Sequence, residues 1–240
     1  MKAAAPASTH PYAVAPAAAL QTVWLRRVPY LRALDLQRRI HARRVAGAIS
    51  DTVLLLEHDH VITTGRRSTA SDVLASPDVL SRLGVEVAET DRGGQTTYHG
   101  PGQLVGYPIV DIKVAGLGPV TYVRLLERTV IETLGLYGVE AFRVDGQTGV
   151  WAAGGKIAAI GVRISSGVTM HGFALNVSTD LRFFGHIVPC GMPSAPVASV
   201  WSEKGTAPGL GDVASVWAER FAAALGMSAV RVEAEALGAQ

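Results

Sequence analysis

A long amphipathic helix is the feature that most constrains how this chain can fold. Between residues 119 and 137 apolar residues recur at helical spacing, and the charged residues lie away from them. The apolar stripe comprises Val123, Leu126, Val130, Leu134 and Tyr137. Strand-like segments come before this helix, at 104–110, and after it, at 156–165 and 168–177, where glycines divide them as in hairpins. Because strands and helices alternate along the chain, we predict a single α+β domain.

Other segments fit the same mixed pattern. Periodicity favours a helix at 30–49 with Leu31, Leu34, Val45 and Ile49 on one face, and a short helix at 77–83. A closing helix is expected at 212–225, capped by Asp212. Strands are expected at 51–57 and 85–88. Residues 1–21 are rich in Ala and Pro and are expected to form a mobile leader, with a single domain at 22–240.

Composition excludes several classes of protein. The formal charge of +2 gives no strong electrostatic case for binding nucleic acid or an anionic membrane. The single cysteine, Cys190, allows neither an internal disulfide nor a cysteine-based zinc site within one chain. Prolines interrupt the alanine-rich N-terminus, and no other stretch is long and apolar enough to span a bilayer. We therefore expect a cytoplasmic protein.

A glycine-rich polar stretch runs from Arg92 to Gln103 with the sequence RGGQTTYHGPGQ. Glycines without a Cβ let the backbone lie close to a ligand, so the stretch is interpreted as an active-site floor, with a tight surface turn as the alternative. It leads into a strand and has neither the dinucleotide fingerprint nor a P-loop lysine. A nucleotide-binding role is therefore disfavoured.

Two residues are candidates for covalent chemistry. Cys190 lies between Pro189 and Gly191, which could present its thiol at a bend; the alternative is an inert buried cysteine. Lys156 is a lone charge in an apolar, glycine-flanked segment. A desolvated lysine can act as a base near neutral pH, whereas an edge-strand lysine would only discourage aggregation.

Histidines provide further candidates. His99 and His171 could each act as a base or only satisfy a hydrogen bond. His58 and His60 could bind a metal on one strand face, but two histidines without a third ligand usually form only a polar strand end. No metal site is predicted.

Four motifs in order resemble the octanoyltransferase family of lipoate biosynthesis. They are the stretch from Arg92 to Gln103, the segment GKIAAIG at 155–161, the segment HGFALNV at 171–177, and Pro189-Cys190-Gly191. The likeness spans about residues 54–190. It implies a mixed β-sheet flanked by helices, as in the catalytic domain of biotin and lipoate protein ligases.

The resemblance also implies a reaction and its residues. An octanoyl or lipoyl group would pass from acyl carrier protein to a lysine on the lipoyl domains of 2-oxoacid dehydrogenase complexes and on the glycine-cleavage H protein. Cys190 would carry the acyl group as a thioester, and Lys156 would lower the thiol pKa and act as general base. Because a thioester is converted to an amide, no ATP and no cofactor are expected. The implied substrate contacts are Arg92, Gly93, Gly94, Gln95, Thr96, Thr97, Tyr98, His99, Ala159, Ile160, Gly161, Gly172, Phe173 and Ala174.

An octyl chain needs a narrow apolar slot, and we expect Tyr98, Ile157 and Ala159 to line it. Two other functions stay open. An ATP-dependent lipoate or biotin ligase would share the fold and a lysine but would not need the cysteine. A non-catalytic module could use the same pocket to bind acyl groups or lipoyl domains without turnover.

Overall fold

The computed structural model describes residues 18–189 and 195–238. Within those residues, two sheets and five α-helices are interspersed along the chain, with short 3-10 turns between them. The α-helices are α1 (Tyr30–Val45), α2 (Pro77–Arg82), α3 (Pro119–Leu136), α4 (Val200–Lys204) and α5 (Leu210–Ala224). The strands are β1 (Ala19–Arg27), β2 (Thr52–Glu57), β3 (Val61–Thr64), β4 (Glu86–Glu89), β5 (Thr97–His99), β6 (Gln103–Ile109), β7 (Phe142–Val144), β8 (Gln147–Ala152), β9 (Gly155–Ser165), β10 (Val168–Asn176) and β11 (Ser228–Arg231).

The larger sheet has eight strands in the order β11-β1-β2-β6-β10-β9-β8-β7. Strand β1 pairs in parallel with β11 and β2, and the other neighbours are antiparallel. The smaller sheet has the order β4-β3-β5 and is also mixed. A mixed sheet flanked by helices is the predicted fold, and the prediction is confirmed.

The larger sheet is covered on both faces. On one face α3 and α5 pack over a cluster that includes Leu126, Phe173 and Trp217. On the other face α1 packs over Leu54, Val105 and Tyr107, among others. Burial of these apolar side chains is the main force that holds the helices to the sheet. Strands in the middle of the sheet, such as β6, are buried along their whole length.

Three local predictions are wrong. Leu31 and Val45 were expected on one face with Leu34 but are 61% and 44% exposed, because the buried stripe of α1 combines Leu34 with Ala33 and Ile40. Helix α1 also ends at Val45 rather than at residue 49. Helix α5 begins at Leu210 with Gly209 as its N-cap, so Asp212 lies in the first turn and is not the cap.

The N-terminal strand was not predicted. Strand β1 begins at Ala19, two residues before the expected end of the leader, and Leu20 is fully buried in the core. Residues 1–17 lie outside the described part of the chain. The described helices include none that is long and apolar enough to cross a bilayer.

Candidate active site

A cavity of about 470 Å³ lies between the larger sheet and the residues around the smaller one. Residues from β9 and β10 form one side, and the glycine-rich stretch forms another. The predicted site residues along it are Arg92, Gly94, Gln95, Thr97, His99, Lys156, Ala159, Ile160, Gly161, Gly172, Phe173 and Ala174. The cavity therefore brings together three of the four sequence motifs. The fourth contains Cys190, which lies outside the described residues.

The floor of the cavity is a trough of small side chains. Ala174 pairs with Ala159 across β10 and β9, and Gly172 pairs with Gly161 two residues further on. Paired residues of antiparallel strands point to the same face, so these four positions leave a continuous space above the sheet. A Cβ at Gly161 would come within 2.8 Å of the Gly93 carbonyl oxygen, so glycine is needed there for close backbone approach. The trough is thus a property of the register of β9 and β10.

Lys156 lies at one end of the trough. Its side chain is largely buried, with the residue only 8% exposed, and its Nζ donates to the Thr148 carbonyl at 2.9 Å. The Nζ also lies 4.8 Å from the centre of the Trp151 ring. Strand β9 lies between β10 and β8, so the alternative that Lys156 is an edge-strand lysine is wrong.

The backbone of Lys156 is joined to the segment that follows the undescribed residues 190–194. Its N–H donates to the Pro196 carbonyl at 2.9 Å, and its carbonyl accepts from the Ala198 N–H at 3.0 Å. A small hollow beside it is lined by Lys156 and by Pro189, the residue before Cys190. Segments on both sides of Cys190 are therefore anchored close to Lys156.

Much of the glycine-rich stretch acts as internal scaffolding. The Arg92 guanidinium donates to the Thr63 carbonyl at 2.7 Å and to the Thr63 hydroxyl at 2.8 Å. His99 Nδ1 donates to Gln103 Oε1 at 2.8 Å, because the Gln103 amide nitrogen donates elsewhere. Gln103 in turn donates to Asn176 Oδ1 at 2.9 Å. A buried polar chain therefore ties this stretch to β3 and β10 and fixes the cavity wall.

Three predicted contacts do not line the cavity. Gly93 donates its N–H to the Val162 carbonyl, and the Thr96 hydroxyl bonds with Ser68 and Asp72. Tyr98 is fully buried, with its hydroxyl 2.7 Å from His60 Nδ1 and its ring stacked on Phe183.

Of the three residues expected to line an acyl slot, Ala159 lines the cavity, whereas Tyr98 and Ile157 do not. Side chains alternate along a strand, so Thr97 and His99 face the cavity and Tyr98 faces away. Ile157 lies in the cluster beneath α3 and α5. Phe173 borders the cavity, but its ring packs 4.4 Å from the Trp217 ring on the face covered by α5.

Aromatic and histidine rings close the other end of the trough. Tyr30 and Tyr107 lie there with His99 and His171. His58 supports them from behind: its Nδ1 lies 2.7 Å from the Val28 carbonyl, so Nε2 accepts from the Tyr107 hydroxyl at 2.7 Å. Both nitrogens of His58 thus have protein partners, which leaves none for the metal considered from the sequence.

His171 has an unusual backbone. Its φ of 56° lies in the left-handed region, which a non-glycine residue rarely adopts. Its N–H donates to Gln37 Oε1 at 2.9 Å, and Nε2 donates to Asp91 at 2.9 Å. Asp91 also pairs with Arg163 at 2.6 Å. Because of this backbone turn, the neighbours His171 and Gly172 both line the cavity.

Burial favours the neutral form of these rings. It lowers the pKa of His58 to about 4, although the hydrogen bond to Val28 opposes the shift. Burial lowers the pKa of His99 well below its usual range, and the neighbouring His58 and Arg92 lower it further. It also lowers the pKa of His171, against the opposing effect of Asp91. Burial raises the pKa of Tyr30 to about 12. At neutral pH the closed end of the trough is therefore a wall of uncharged rings.

Several cavity residues were missed from the sequence as site residues. Tyr30 and Tyr107 come from segments that carry no recognisable motif, Arg67 comes from the basic turn at 65–67, and Gln147 and Thr148 come from the start of β8. Arg67 had a weak signal, since it follows Gly65 in a basic turn. The others become part of the site only through tertiary packing.

The fold and this site define a class of protein. A family model described as the lipoyl protein ligase A/B catalytic domain matches residues 29–222. The fold is similar to lipoate-protein ligase A bound with ATP, with a TM-score of 0.71 and 18% identity over 90% of this chain and 92% of that one. It is also similar to a biotin protein ligase from Aquifex aeolicus, with a TM-score of 0.55 and 14% identity over 85% and 70% of the two chains.

Closer relatives narrow the class. An octanoyltransferase of Solibacter usitatus is 53% identical over 73% of this chain and 80% of its own length. An octanoyltransferase of Thermobifida fusca is 47% identical over 85% of this chain and 87% of its own. The chain belongs to the octanoyltransferase family and is an acyltransferase, as its motifs predicted.

Proposed function

We propose that this protein transfers an octanoyl or lipoyl group from acyl carrier protein to a lysine of apo lipoyl domains, including those of 2-oxoacid dehydrogenase complexes and the glycine-cleavage H protein. The acyl group passes through a thioester on Cys190. The observation that carries the proposal is the position of Lys156, a buried amine between the acyl-sized trough and the hollow that Pro189 lines.

In the first step, Lys156 acts as the base that takes the proton of the Cys190 thiol, and the thiolate attacks the thioester carbonyl of the donor. The tetrahedral intermediate breaks its bond to the carrier thiolate, which takes the proton back from Lys156. The acyl group is now a thioester of Cys190, and Lys156 has returned to its starting state. One thioester bond has formed and one has broken.

In the second step, the amine of the acceptor lysine attacks the same carbonyl and gives a proton to Lys156. An amide bond forms, the bond to Cys190 breaks, and Lys156 returns that proton to the departing thiolate. Neither step needs ATP. The hydrogen bond to Thr148 and the contact with Trp151 fix the position of the Lys156 amine, which supports its proposed role in both proton transfers.

The shape of the trough favours an acyl chain as the substrate. Its small paired residues leave room for a narrow chain, and the rings at its closed end give that chain a limit. Burial of the chain in the trough would exclude water from the acyl-enzyme and protect it from hydrolysis.

A transfer assay tests the proposal. The protein is incubated with octanoyl-acyl carrier protein and an apo lipoyl domain, without ATP, and the acceptor mass is followed. We expect octanoylation of the acceptor, and we expect Cys190→Ala and Lys156→Ala to abolish it while retaining the wild-type circular dichroism spectrum. Modification that needs ATP and free fatty acid would instead make the protein a ligase. A stable complex without turnover would make it a binding module.

A further inference from the structure

A fully buried carboxylate lies on α3, close to the end of the trough where Lys156 lies. Glu127 has no exposed surface, although the neighbouring charges of the helix, Arg124, Arg128 and Glu132, are all exposed by 42% or more. Burial of a charge is costly unless partners compensate for it. Glu127 has two: Arg124 donates to Oε2 at 2.7 Å, and the Gly149 N–H donates to Oε1 at 3.0 Å.

The second partner connects Glu127 to Lys156. The N–H of Gly149 and the carbonyl of Thr148 belong to the same peptide group. That carbonyl accepts from Lys156 Nζ at 2.9 Å. One peptide group is therefore held between a carboxylate at its N–H and an amine at its carbonyl. Hydrogen bonds arranged in a chain polarise and strengthen each other in a buried environment.

Gly149 adds a steric constraint to the same place. Its φ of 128° is accessible almost only to glycine, and a Cβ there would lie 2.6 Å from Lys156 Cε and 2.6 Å from the Ala158 carbonyl oxygen. The backbone at 148–149 thus packs directly on the lysine side chain. A shift of this peptide would move the amine.

We propose that Glu127 is the positioning residue for Lys156. By fixing the peptide between Thr148 and Gly149, it holds the carbonyl that orients Nζ. This inference rests on the proposed role of Lys156 as the base that activates Cys190. Glu127 does not touch the substrate, and it acts only through Lys156.

Two substitutions of Glu127 separate the effect of its hydrogen-bond acceptor from the effect of its negative charge. Glu127→Met is similar in length but removes the acceptor for Gly149. Glu127→Gln keeps an oxygen that can accept the same hydrogen bond. Leu134→Ala is the control for stability, because Leu134 is also fully buried on α3 but lies away from the peptide. All assays are run below the melting temperature of each variant.

The first readout is kinetic. Misplacement of a catalytic group by about 1 Å can cost about 100-fold in rate. We expect Glu127→Met to lower kcat for octanoyl transfer by about 10- to 100-fold with an unchanged KM for the acceptor. Glu127→Gln should stay within about fivefold of wild type, since a neutral acceptor gives a weaker hydrogen bond. Leu134→Ala should keep the wild-type kcat despite its lower stability.

The second readout is the alkylation rate of the cysteine by iodoacetamide, which reports one site because the chain has a single cysteine. Lys156→Ala and Glu127→Met should each slow alkylation, and the double variant should be no slower than Lys156→Ala alone. Additive slowing in the double variant, or a wild-type kcat and alkylation rate in Glu127→Met, would overturn the inference and leave the proposed function intact. Normal alkylation and normal octanoyl transfer in Lys156→Ala would overturn both this inference and the proposed function.

Discussion

The length of the trough predicts which acyl chains the enzyme accepts. From Ala174, beside Lys156, to His171 at the closed end is three residues of β10, or roughly 10 Å at about 3.4 Å per residue. An extended octanoyl chain spans roughly 9 Å with C–C bonds of about 1.5 Å, whereas a dodecanoyl chain spans roughly 14 Å. We therefore expect the octanoyl chain to fit and the longer chain to meet the rings of Tyr107 and Tyr30.

The expected magnitude follows from burial of methylene groups. Each CH₂ moved from water into the trough contributes about 0.8 kcal/mol, which is about a fourfold change in kcat/KM. We expect kcat/KM to rise about fourfold per methylene from butanoyl to octanoyl donors and to fall between decanoyl and dodecanoyl donors. The assay is a set of acyl carrier protein thioesters of increasing length, compared at one acceptor concentration.

A variant checks the closed end. Tyr30→Ala removes one ring of the wall, so we expect it to move the optimum to a longer chain. Tyr137→Ala, far from the cavity at the end of α3, should leave the optimum unchanged. A flat dependence on chain length, or a continued rise through dodecanoyl in the wild type, would refute the assignment of the trough to the acyl chain.

Two further predictions concern stability. The folded pKa of His58, about 4, lies below the unfolded value of about 6.5, so its contribution to stability is present above pH 6.5 and is lost as pH falls toward 4. The stability lost by pH 5 amounts to about 2 kcal/mol. We expect His58→Gln to flatten the pH dependence of the unfolding free energy measured with urea. An equally steep dependence in the variant would contradict the assignment. Phe173→Ala should cost about 3–5 kcal/mol, because its ring packs on Trp217, and should leave the KM for the octanoyl donor unchanged. A raised KM with normal stability would mean that the ring contacts the substrate.

Local patterns predicted the elements that carry their own signal. The stripe on α3 is confirmed, and Leu126, Val130 and Leu134 are all fully buried. The strands β9 and β10 were predicted from their glycine-divided apolar runs. Strand β1 was missed because its pairing partners, Thr52–Glu57 and Ser228–Arg231, are distant from it in the sequence.

Sequence-based prediction of the site residues has the same limit. Motifs predicted that Lys156 and the glycine-rich stretch belong to one site, and the structure brings them to one cavity. The direction of each side chain was not predictable, since a strand of three residues such as β5 gives no indication of which face is inside. Tyr98 was therefore placed in the slot although it faces Phe183. Glu127 and Thr148 could not be linked to Lys156, because a peptide group and a distant helix make the connection.

Intact mass of the acyl-enzyme tests the central claim most directly. The protein is mixed with octanoyl-acyl carrier protein in the absence of ATP, measured, digested to locate any adduct, and then chased with an apo lipoyl domain. The account predicts one octanoyl group on Cys190 that is lost as the acceptor lysine gains it. Octanoyl transfer to the acceptor by the Cys190→Ala variant, with no adduct on the wild-type protein, would contradict it.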